Sequence, residues 1–164
     1  MTRINLVPPE ELMDQHLFAE FREIKMVPKS LRRSLKAAEA RDVKTHGYRD
    51  AYVQALMGQA IVLGAVPQAY TLNTGHVSFF YDKALYLRKR YALLRAELER
   101  RGINFNRDSL LDPDGVFDAL DERFRKDYDP TPEALALVRA RIAEKIAMKP
   151  SWYRYEGKPN EQTM

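Results

Sequence analysis

The stretch SFFYDKALYLRKRYALLRAELERRG, residues 78–102, gives the strongest structural signal in the sequence. Its apolar side chains recur at intervals of four, three, four, three and four residues, which places them on one face of an α-helix. They are Phe80, Ala84, Leu87, Tyr91, Leu94 and Leu98. Gly102 follows them, and glycine commonly lies just after the end of a helix. The stretch therefore predicts a long helix with one buried apolar face.

On the C-terminal side of this stretch, the sequence predicts a short helix and a second long one. Thr131 and Pro132 suit the cap and the first position of the long helix, and Pro150 follows its end. Its expected buried stripe comprises Leu135, Val138, Ile142 and Ile146. The short helix is expected over residues 114–125, and a flexible polar tail over residues 159–164.

On the N-terminal side, three more helices are expected. The run PPEE at residues 8–11 suits a first helical turn, because proline is tolerated there and carboxylates favour the positive end of the helix dipole. The helix that it opens is expected to reach Met26, before Pro28. Two further helices and a loop are expected over residues 30–41, 48–62 and 65–77.

Length and composition fit one domain. The 164 residues are 45% hydrophobic, which is enough to form a single core. No alternating apolar pattern of useful length predicts a strand. The expected fold class is therefore all-α, a single compact helical domain over residues 1–164. The absence of cysteine excludes disulfides, thiolate catalysis and cysteine-type zinc sites.

The net charge of +4 is unevenly distributed along the chain. Residues 108–130 carry eight acidic and three basic side chains, a local charge of −5, so the rest of the chain carries +9. This distribution is typical of a protein that binds polyanions, and a solvated surface is the alternative. No apolar run approaches the roughly 18 residues of a membrane span, and the N-terminus lacks the features of a signal peptide. We therefore expect a cytoplasmic protein without a membrane partner.

The first predicted helix separates an apolar face from a polar one. At about 100° per residue, its core face comprises Met13, Leu17, Phe21 and Ile24. The opposite arc carries Gln15, His16, Arg22 and Glu23, which therefore project together. Two neutral hydrogen-bonding groups, one cation and one carboxylate suit a binding or catalytic site. A solvated face, which every amphipathic surface helix has, is the alternative.

The N-terminus itself carries a group with useful chemistry. Thr2 is small, which usually permits removal of Met1 and leaves a free α-amino group on the threonine. Such an amine has an ordinary pKa of about 7.7 to 8.0, so a useful fraction is neutral at physiological pH. Neighbouring cations such as Arg3 and Arg22 disfavour the protonated form and lower that pKa further. A neutral amine can attack an electrophilic sugar carbon and form a Schiff base. This capacity alone assigns no function, because every protein has an N-terminus.

Three blocks of sequence resemble one family. They are MTRINL with DQHLFAEFREI near the N-terminus, TGHVSFFYDK with LRKR within residues 74–90, and ARIAEKIAMKPSWYRYEGK at residues 140–158. In content and order these blocks are similar to the pyrimidine-dimer DNA glycosylases of the phage endonuclease V type, which are also abasic-site lyases. The resemblance implies a compact all-α fold with the N-terminus packed between helices.

The resemblance also implies a mechanism for Thr2 and Glu23. The Thr2 α-amine attacks the deoxyribose of a pyrimidine dimer and forms an imine, while Glu23 stabilises the cationic intermediate and assists proton transfer. β-Elimination then nicks the strand. Because the iminium is the electron sink, no metal or other cofactor is expected. The histidines agree with this, since His16, His46 and His76 lack the spacing of zinc ligands.

The partner that the resemblance implies is double-stranded DNA containing UV photoproducts or abasic sites, bound by a monomer. The residues carried over as DNA contacts are Arg3, Gln15, His16, Arg22, Lys83, Arg88, Lys89, Arg90, Arg141, Lys145, Trp152 and Tyr153. Arg141 and Lys145 lie one helical turn apart, a spacing that suits neighbouring phosphates. Packing in the core is the alternative for the two aromatic residues.

Two departures from the phage enzyme bear on specificity. Met26 stands where that enzyme commonly has arginine, and residues 45–64 resemble a helical insertion. The insertion is expected to cover the core, with a wider DNA footprint or dimerisation as alternatives. Two other functions stay open. One is a glycosylase or abasic-site lyase for another lesion, which Met26 favours. The other is a DNA-bending protein without turnover, which the presence of Thr2 together with Glu23 disfavours.

Overall fold

The computed structural model describes residues 4–47 and 50–159, and within them helices dominate. The α-helices are α1 (Asp14–Glu23), α2 (Met26–His46), α3 (Ala51–Gly64), α4 (Ala84–Arg101) and α5 (Pro132–Met148). Short 3-10 helices span Pro9–Glu11, Ser78–Phe80 and Glu122–Phe124. A two-stranded antiparallel hairpin follows α5 and consists of β1 (Arg154–Tyr155) and β2 (Lys158–Pro159). The predicted all-α class is confirmed.

The chain divides into two compact units, each built from separate segments. The first unit contains the residues up to Ile24, Leu87–Ser109 and the residues from Tyr128 onwards. The second contains Lys25–Tyr86 and Leu110–Asp127. That residues 1–164 form a single domain stays a prediction. No helix in the described part of the chain is long and apolar enough to cross a membrane.

The predicted helix of residues 78–102 is present as the 3-10 turn Ser78–Phe80 followed by α4, and all six side chains of its apolar stripe are buried. In the first unit, the Phe21 ring stacks on Tyr91 with centroids 4.9 Å apart and meets the Phe105 ring edge-on at 5.3 Å. The helix ends before Gly102, whose φ of 70° is a left-handed conformation that glycine adopts without strain.

The two helices nearest the N-terminus have boundaries other than those predicted. A 3-10 turn at Pro9–Glu11 precedes α1, which begins only at Asp14. The next helix, α2, includes Pro28 in its first turn, so the boundary predicted at this proline is wrong. Proline is tolerated there because the first amides of a helix have no intrahelical acceptor. At its other end α2 continues to His46, well beyond the predicted residue 41.

In the second unit, α3 packs on α2 and confirms the helix predicted over residues 48–62 from Ala51 onward, whereas residues 48 and 49 lie outside the described residues. The Asp50 carboxylate caps α3 by accepting a hydrogen bond from the Val53 amide at 3.0 Å. A Cβ atom added to Gly58 would lie 2.6 Å from Glu39 Cγ and 3.3 Å from the Leu35 carbonyl oxygen. Glycine is therefore what allows the two helices to approach so closely at this point.

The helix predicted over residues 114–125 is wrong, because only the 3-10 turn Glu122–Phe124 forms there. The two oxygens of the Asp112 carboxylate accept hydrogen bonds from the amides of Val116 and Phe117, at 3.0 and 2.9 Å. Side chains of this kind compete with the helical hydrogen-bond pattern for backbone donors. The segment therefore folds as a succession of turns.

The start of α5 is as predicted, whereas the segment after this helix is not. Thr131 Oγ1 accepts a hydrogen bond from the Ala134 amide at 3.1 Å, and Pro132 occupies the first position. Within its predicted stripe Val138 is buried, and the other three side chains are half-buried. The hairpin was not predicted, because its strands have two residues each. Pro159 is part of β2, and residues 160–164 of the predicted tail lie outside the described residues.

Candidate functional site

A cavity of about 200 Å³ opens in the first unit, bordered by α1, α5 and the segments at the two ends of the unit. Its lining residues are Asn5, His16, Ala19, Glu20, Glu23, Arg141, Ile142, Lys145 and Tyr153. Five of them are predicted site residues, namely His16, Glu23, Arg141, Lys145 and Tyr153. Carboxylates and cations therefore meet around one small opening, at positions distant from each other in the sequence.

The faces of α1 explain how this helix contributes to the cavity. Leu17, Phe21 and Ile24 are buried, as predicted for its core face. His16 and Glu23 lie on the predicted polar arc and line the cavity. The His16 ring packs against the ring of Tyr153 with centroids 4.6 Å apart, which fixes the side of the imidazole that faces the cavity.

The helix α5 supplies the cations of the cavity. Arg141 and Lys145 are one turn apart on this helix and both line the cavity. The guanidinium of Arg141 lies 3.9 Å from the carboxylate of Glu144. Within the described residues, the Arg141 Nε donor is buried and has no hydrogen-bond acceptor. An anionic ligand in the cavity would supply such an acceptor.

One carboxylate of the cavity wall, that of Glu20, belongs to a buried ion pair that was not predicted from the sequence. Arg90 donates from Nε to Glu20 Oε2 at 2.7 Å and from Nη2 to Glu20 Oε1 at 2.9 Å. Only 3% of Arg90 and 1% of Glu20 is exposed. The DNA contact predicted for Arg90 is therefore wrong, because its guanidinium is consumed inside the protein. The position of Arg90 in the sequence indicates this burial, because Arg90 lies three residues after Leu87 and four before Leu94, on the apolar stripe itself.

Lys83 requires a similar correction. In the second unit its ammonium donates to the Phe79 carbonyl at 2.7 Å and to the Asp82 carboxylate at 2.8 Å, and it lies 3.8 Å from the centre of the Phe79 ring. Its side chain is only 12% exposed. These contacts hold the ammonium against its own segment, so the predicted DNA contact at Lys83 gives way to a structural role.

The remaining predicted cations within the described residues are exposed but do not line the cavity. Arg88 and Lys89 lie on the solvent face of α4. Arg22 is exposed on α1, with its guanidinium 5.7 Å from the centre of the Phe18 ring. Contacts of these three residues with DNA stay predictions.

Gln15, predicted to face the lesion, instead holds the C-terminal segment. Its Nε2 donates to the Trp152 carbonyl at 2.6 Å, and its Oε1 accepts from the Arg154 amide at 3.0 Å. Both polar ends of this side chain are therefore engaged with backbone on either side of Tyr153. These contacts position Tyr153 at the cavity, and a direct lesion contact at Gln15 stays a prediction.

Asp14 binds the hairpin that follows Tyr153. Its two carboxylate oxygens accept from the amides of Glu156 and Gly157 at 3.0 and 2.8 Å. Arg101, whose side chain is fully buried, donates to Asp14 at 3.0 Å and to Glu97 at 2.9 Å. Neither Asp14 nor Arg101 was predicted as a functional residue. Their pairing follows from the packing of α1 beside α4, which neither helix reveals in its own sequence.

Arg101, Asp14 and Glu97 form a cluster, the Arg101 cluster, in which the pKa of Glu97 is shifted. The hydrogen bond from Arg100 lowers the pKa of Glu97, burial of the carboxylate opposes that lowering, and the hydrogen bond from Arg101 adds to it. The net direction is downward from the ordinary value of 4.5. Glu97 is therefore an anion over the whole neutral range, and it holds the two arginines at the end of α4.

The two predicted aromatic contacts differ in accessibility. Trp152 is 55% exposed, whereas Tyr153 is 7% exposed and forms part of the cavity wall. Their rings meet edge-on with centroids 5.0 Å apart. Trp152 is thus placed to touch a ligand outside the cavity, and Tyr153 can touch only what enters it.

The predicted nucleophile Thr2 and the predicted contact Arg3 lie outside the described residues. The described chain begins at Ile4, which is fully buried, and Asn5 already lines the cavity. Among the residues that the structure describes, there is no group of three or more histidine and acidic side chains arranged to hold a metal ion.

A comparison with protein families gives a match that covers most of the chain. A family model described as pyrimidine dimer DNA glycosylase matches residues 1–111. The matched part includes α1 and α4, with the Glu20–Arg90 pair. The helix α5, which supplies Arg141 and Lys145 to the cavity, lies beyond it.

Proposed function

Because the chain belongs to the pyrimidine dimer DNA glycosylase family, we propose that it excises UV-induced pyrimidine dimers from double-stranded DNA and then cleaves the abasic site. The observation that carries the proposal is the cavity in which Glu23 lies with Arg141 and Lys145. A carboxylate beside two cations suits a reaction that develops positive charge on a sugar whose flanking phosphates are negative.

The volume of the cavity supports a sugar as the group that enters. At about 200 Å³ it is smaller than the ~300–1,000 Å³ of pockets for drug-sized ligands. A single deoxyribose or base suits this volume better than an entire dinucleotide lesion. The rest of the lesion would then lie outside, where Trp152 and Arg22 are exposed.

The reach of the chain supports Thr2 as the nucleophile. Asn5 lines the cavity and is three residues from Thr2, a separation that extended backbone spans in at most about 11 Å. Once Met1 is removed, the α-amine of Thr2 is therefore within reach of the cavity that contains Glu23.

The proposed first stage replaces the bond from sugar to base with a bond from sugar to enzyme. The neutral Thr2 amine attacks C1′ of the 5′ pyrimidine of the dimer, and the glycosidic bond breaks with its electron pair passing to the base. Opening of the sugar ring and loss of a proton from nitrogen give the imine. The Glu23 carboxylate stabilises the cationic intermediate and moves the protons.

The proposed second stage nicks the strand. Removal of a C2′ proton sends electrons towards the protonated imine, and the bond from C3′ to the phosphate oxygen breaks by β-elimination. Water then hydrolyses the imine and releases the enzyme. The iminium serves as the electron sink throughout, so these steps need no metal. Arg141 and Lys145 are the groups that we assign to the neighbouring phosphates.

The test is borohydride trapping with two labelled duplexes, one containing a single thymine dimer and the other an abasic site. The purified protein should form a covalent adduct with both, and mass spectrometry should locate it on the Thr2 nitrogen. Acetylation of that amine should abolish it. Glu23→Gln should lower single-turnover excision at least about 100-fold, since general acid–base groups contribute about 10²–10⁴. Glu10→Gln is the matched control, because Glu10 is an exposed carboxylate of the first unit away from the cavity.

The other outcomes separate the alternative functions. Trapping on the abasic duplex alone would indicate a lyase whose natural lesion is not the dimer, the alternative that exposed Met26 favours. Binding to damaged duplex without any adduct, from protein whose first residue is threonine, would contradict the imine mechanism and leave a DNA-bending protein.

A further inference from the structure

The first described residues form a tight turn of unusual geometry. The Val7 amide donates to the Asn5 carbonyl at 2.5 Å, a hydrogen bond that spans three residues as in a γ-turn. The central residue, Leu6, has a φ of 60°. Leucine seldom adopts positive φ, because its Cβ then crowds the backbone. Such a conformation persists only where the surroundings impose it.

The Glu20–Arg90 pair supplies those surroundings. Glu20 Oε1 accepts the Asn5 amide at 3.1 Å, at one end of the turn. The Nη1 of Arg90 donates to the Val7 carbonyl, at the other end. Two hydrogen bonds between the guanidinium and the carboxylate link the contact at Asn5 rigidly to the contact at Val7. The turn is therefore gripped at both ends by side chains of α1 and α4.

We propose that the buried Glu20–Arg90 pair is the positioning device for the reacting amine, acting through the turn at Asn5–Val7 from which the chain leads to Thr2. The inference rests on the proposed function, because it needs Thr2 as the nucleophile. Neither residue is catalytic in this role. They fix the direction of the backbone at Asn5, three residues after the threonine whose nitrogen attacks.

The position of Glu20 gives the pair a second effect on the amine. Glu20 lines the cavity, and Arg90 neutralises its charge. Arg90 removed alone leaves an uncompensated carboxylate that favours the ammonium form of the amine, whereas Glu20 neutralised alone leaves a guanidinium that disfavours it. The other titratable and charged groups facing the same cavity are His16, Glu23, Arg141, Lys145 and Tyr153. Because these groups are unchanged in all the variants below, the two single changes should shift the pKa of the amine in opposite directions.

The experiment measures imine formation separately from binding. Borohydride trapping under single-turnover conditions on an abasic duplex gives the rate of imine formation over a range of pH. Affinity is measured on a duplex with a tetrahydrofuran abasic analogue, which cannot form an imine. The variants are Arg90→Met, Glu20→Gln and the double variant. Tyr91→Phe is the matched control, because it removes a buried hydrogen bond to the Ser109 carbonyl at the next position of α4 without touching the turn.

All three variants should form the imine more slowly, by up to about 100-fold, the loss that a misplacement of about 1 Å can cause. Affinity for the analogue should stay within about twofold in Arg90→Met, since Arg90 is not among the residues that line the cavity. The pH midpoint of the rate should rise in Arg90→Met, fall in Glu20→Gln and return to the wild-type value in the double variant. Tyr91→Phe should lower stability and leave the rate and its midpoint unchanged.

Folded variants with the wild-type rate and midpoint would overturn the positioning role while leaving Thr2 as the nucleophile. A wild-type protein that forms no adduct on Thr2 would overturn the proposed function, and the positioning role with it. Should a single variant not fold, the double variant, which leaves neither charge of the pair buried, carries the test of the rate. Amide hydrogen exchange on the wild type adds an independent measurement. The Asn5 amide should be strongly protected, and exchange at the rate of an unfolded peptide would contradict the grip of Glu20.

Discussion

Two buried arginines of α4 hold different parts of the first unit, and they do so in different ways. Arg90 meets one carboxylate, that of Glu20, and holds the turn at the start of the described chain. Arg101 lies eleven residues further on and shares two carboxylates, those of Asp14 and Glu97, which also bind other partners. Both arginines pair with acidic residues of α1. The two pairs differ in the segment that each of them holds.

The difference shows how α4 can position groups for the reaction at one point and stabilise the fold at another. The carboxylate that faces Arg90 lines the cavity, whereas the carboxylates that face Arg101 do not belong to its described lining. The Arg101 cluster holds the C-terminal hairpin through Asp14, and the ring of Tyr155 stacks on the Arg101 guanidinium at 4.2 Å. We therefore expect changes at either arginine to lower stability, and changes at Arg90 to alter the reaction of the folded protein as well.

The largest effect that tests this contrast is expected from Arg101→Met. Breaking a buried ion pair by removing one partner typically costs about 3–5 kcal/mol. Asp14 and Glu97 both lose this buried cation but keep their other hydrogen-bond donors. The free energy of unfolding, measured by urea denaturation, should therefore fall by up to that amount. Imine formation by the fraction that stays folded should change far less than in Arg90→Met.

Arg95→Met is the control for this prediction. Arg95 is on the same helix, and its ion pair with Glu99, 3.7 Å long, is solvent-exposed. Arg95→Met should lower the free energy of unfolding by less than about 1 kcal/mol. Equal losses of stability in the two variants would mean that burial of Arg101 contributes nothing, and equal losses of imine formation in the Arg90 and Arg101 variants would erase the contrast between them.

A smaller effect is expected from pH. The pKa of Glu97 is lower in the folded protein than its ordinary value of 4.5, chiefly because of the hydrogen bond from Arg100. Stabilisation from this carboxylate is therefore complete above about pH 4.5 and is lost as the pH falls through the lowered pKa. Urea midpoints between about pH 6 and 3 should decline in the wild type and decline less steeply in Glu97→Gln.

Asp121 provides the comparison for the acid limb. Its pKa is also lowered, chiefly by the hydrogen bond from Arg123, but this pair is exposed to solvent. Asp121→Asn should therefore change the slope of the acid limb less than Glu97→Gln. If Asp121→Asn changed the slope of the acid limb more than Glu97→Gln, burial would not be the reason that ionisation of Glu97 affects stability.

The smallest effect is expected from a change at an exposed cation of the cavity. Lys145 is exposed on α5 and lines the cavity. Lys145→Gln should leave the urea midpoint unchanged and make the slope of log affinity against log salt shallower by about 0.9, the value of one lost phosphate contact. Arg139→Gln is the control, since Arg139 is on the same helix but is ion-paired with Glu11 at 2.9 Å. An unchanged salt slope in Lys145→Gln would exclude it as a phosphate contact.

Periodicity and capping residues were enough to predict much of this fold. The apolar stripe from Phe80 to Leu98 and the Thr131 cap of α5 are local signals, each contained in one continuous stretch of sequence, and both are confirmed. Pro28 misled because proline breaks a helix interior but not a first turn, and the sequence does not say where a helix begins. The turns around Asp112 misled because a carboxylate there takes the amides that a helix would use.

The site was predictable only in part, for a related reason. The polar arc of α1 placed His16 and Glu23 on one face, and both line the cavity. The sequence could not separate Arg90 from its basic neighbours Arg88 and Lys89, because the carboxylate that buries it comes from a different helix, 70 residues away in the chain. Long-range pairing of this kind decides which charges bind a ligand and which bind the protein.

The exposed Trp152 also has a practical consequence for spectroscopy. It is the single tryptophan of the sequence, and it lies in the first unit beside the hairpin. Its fluorescence therefore reports on that unit alone, while the far-ultraviolet circular dichroism signal sums the helices of both. A single protein sample thus contains an optical label for one unit, and the two signals followed along one denaturation curve will show whether the units unfold together or in sequence.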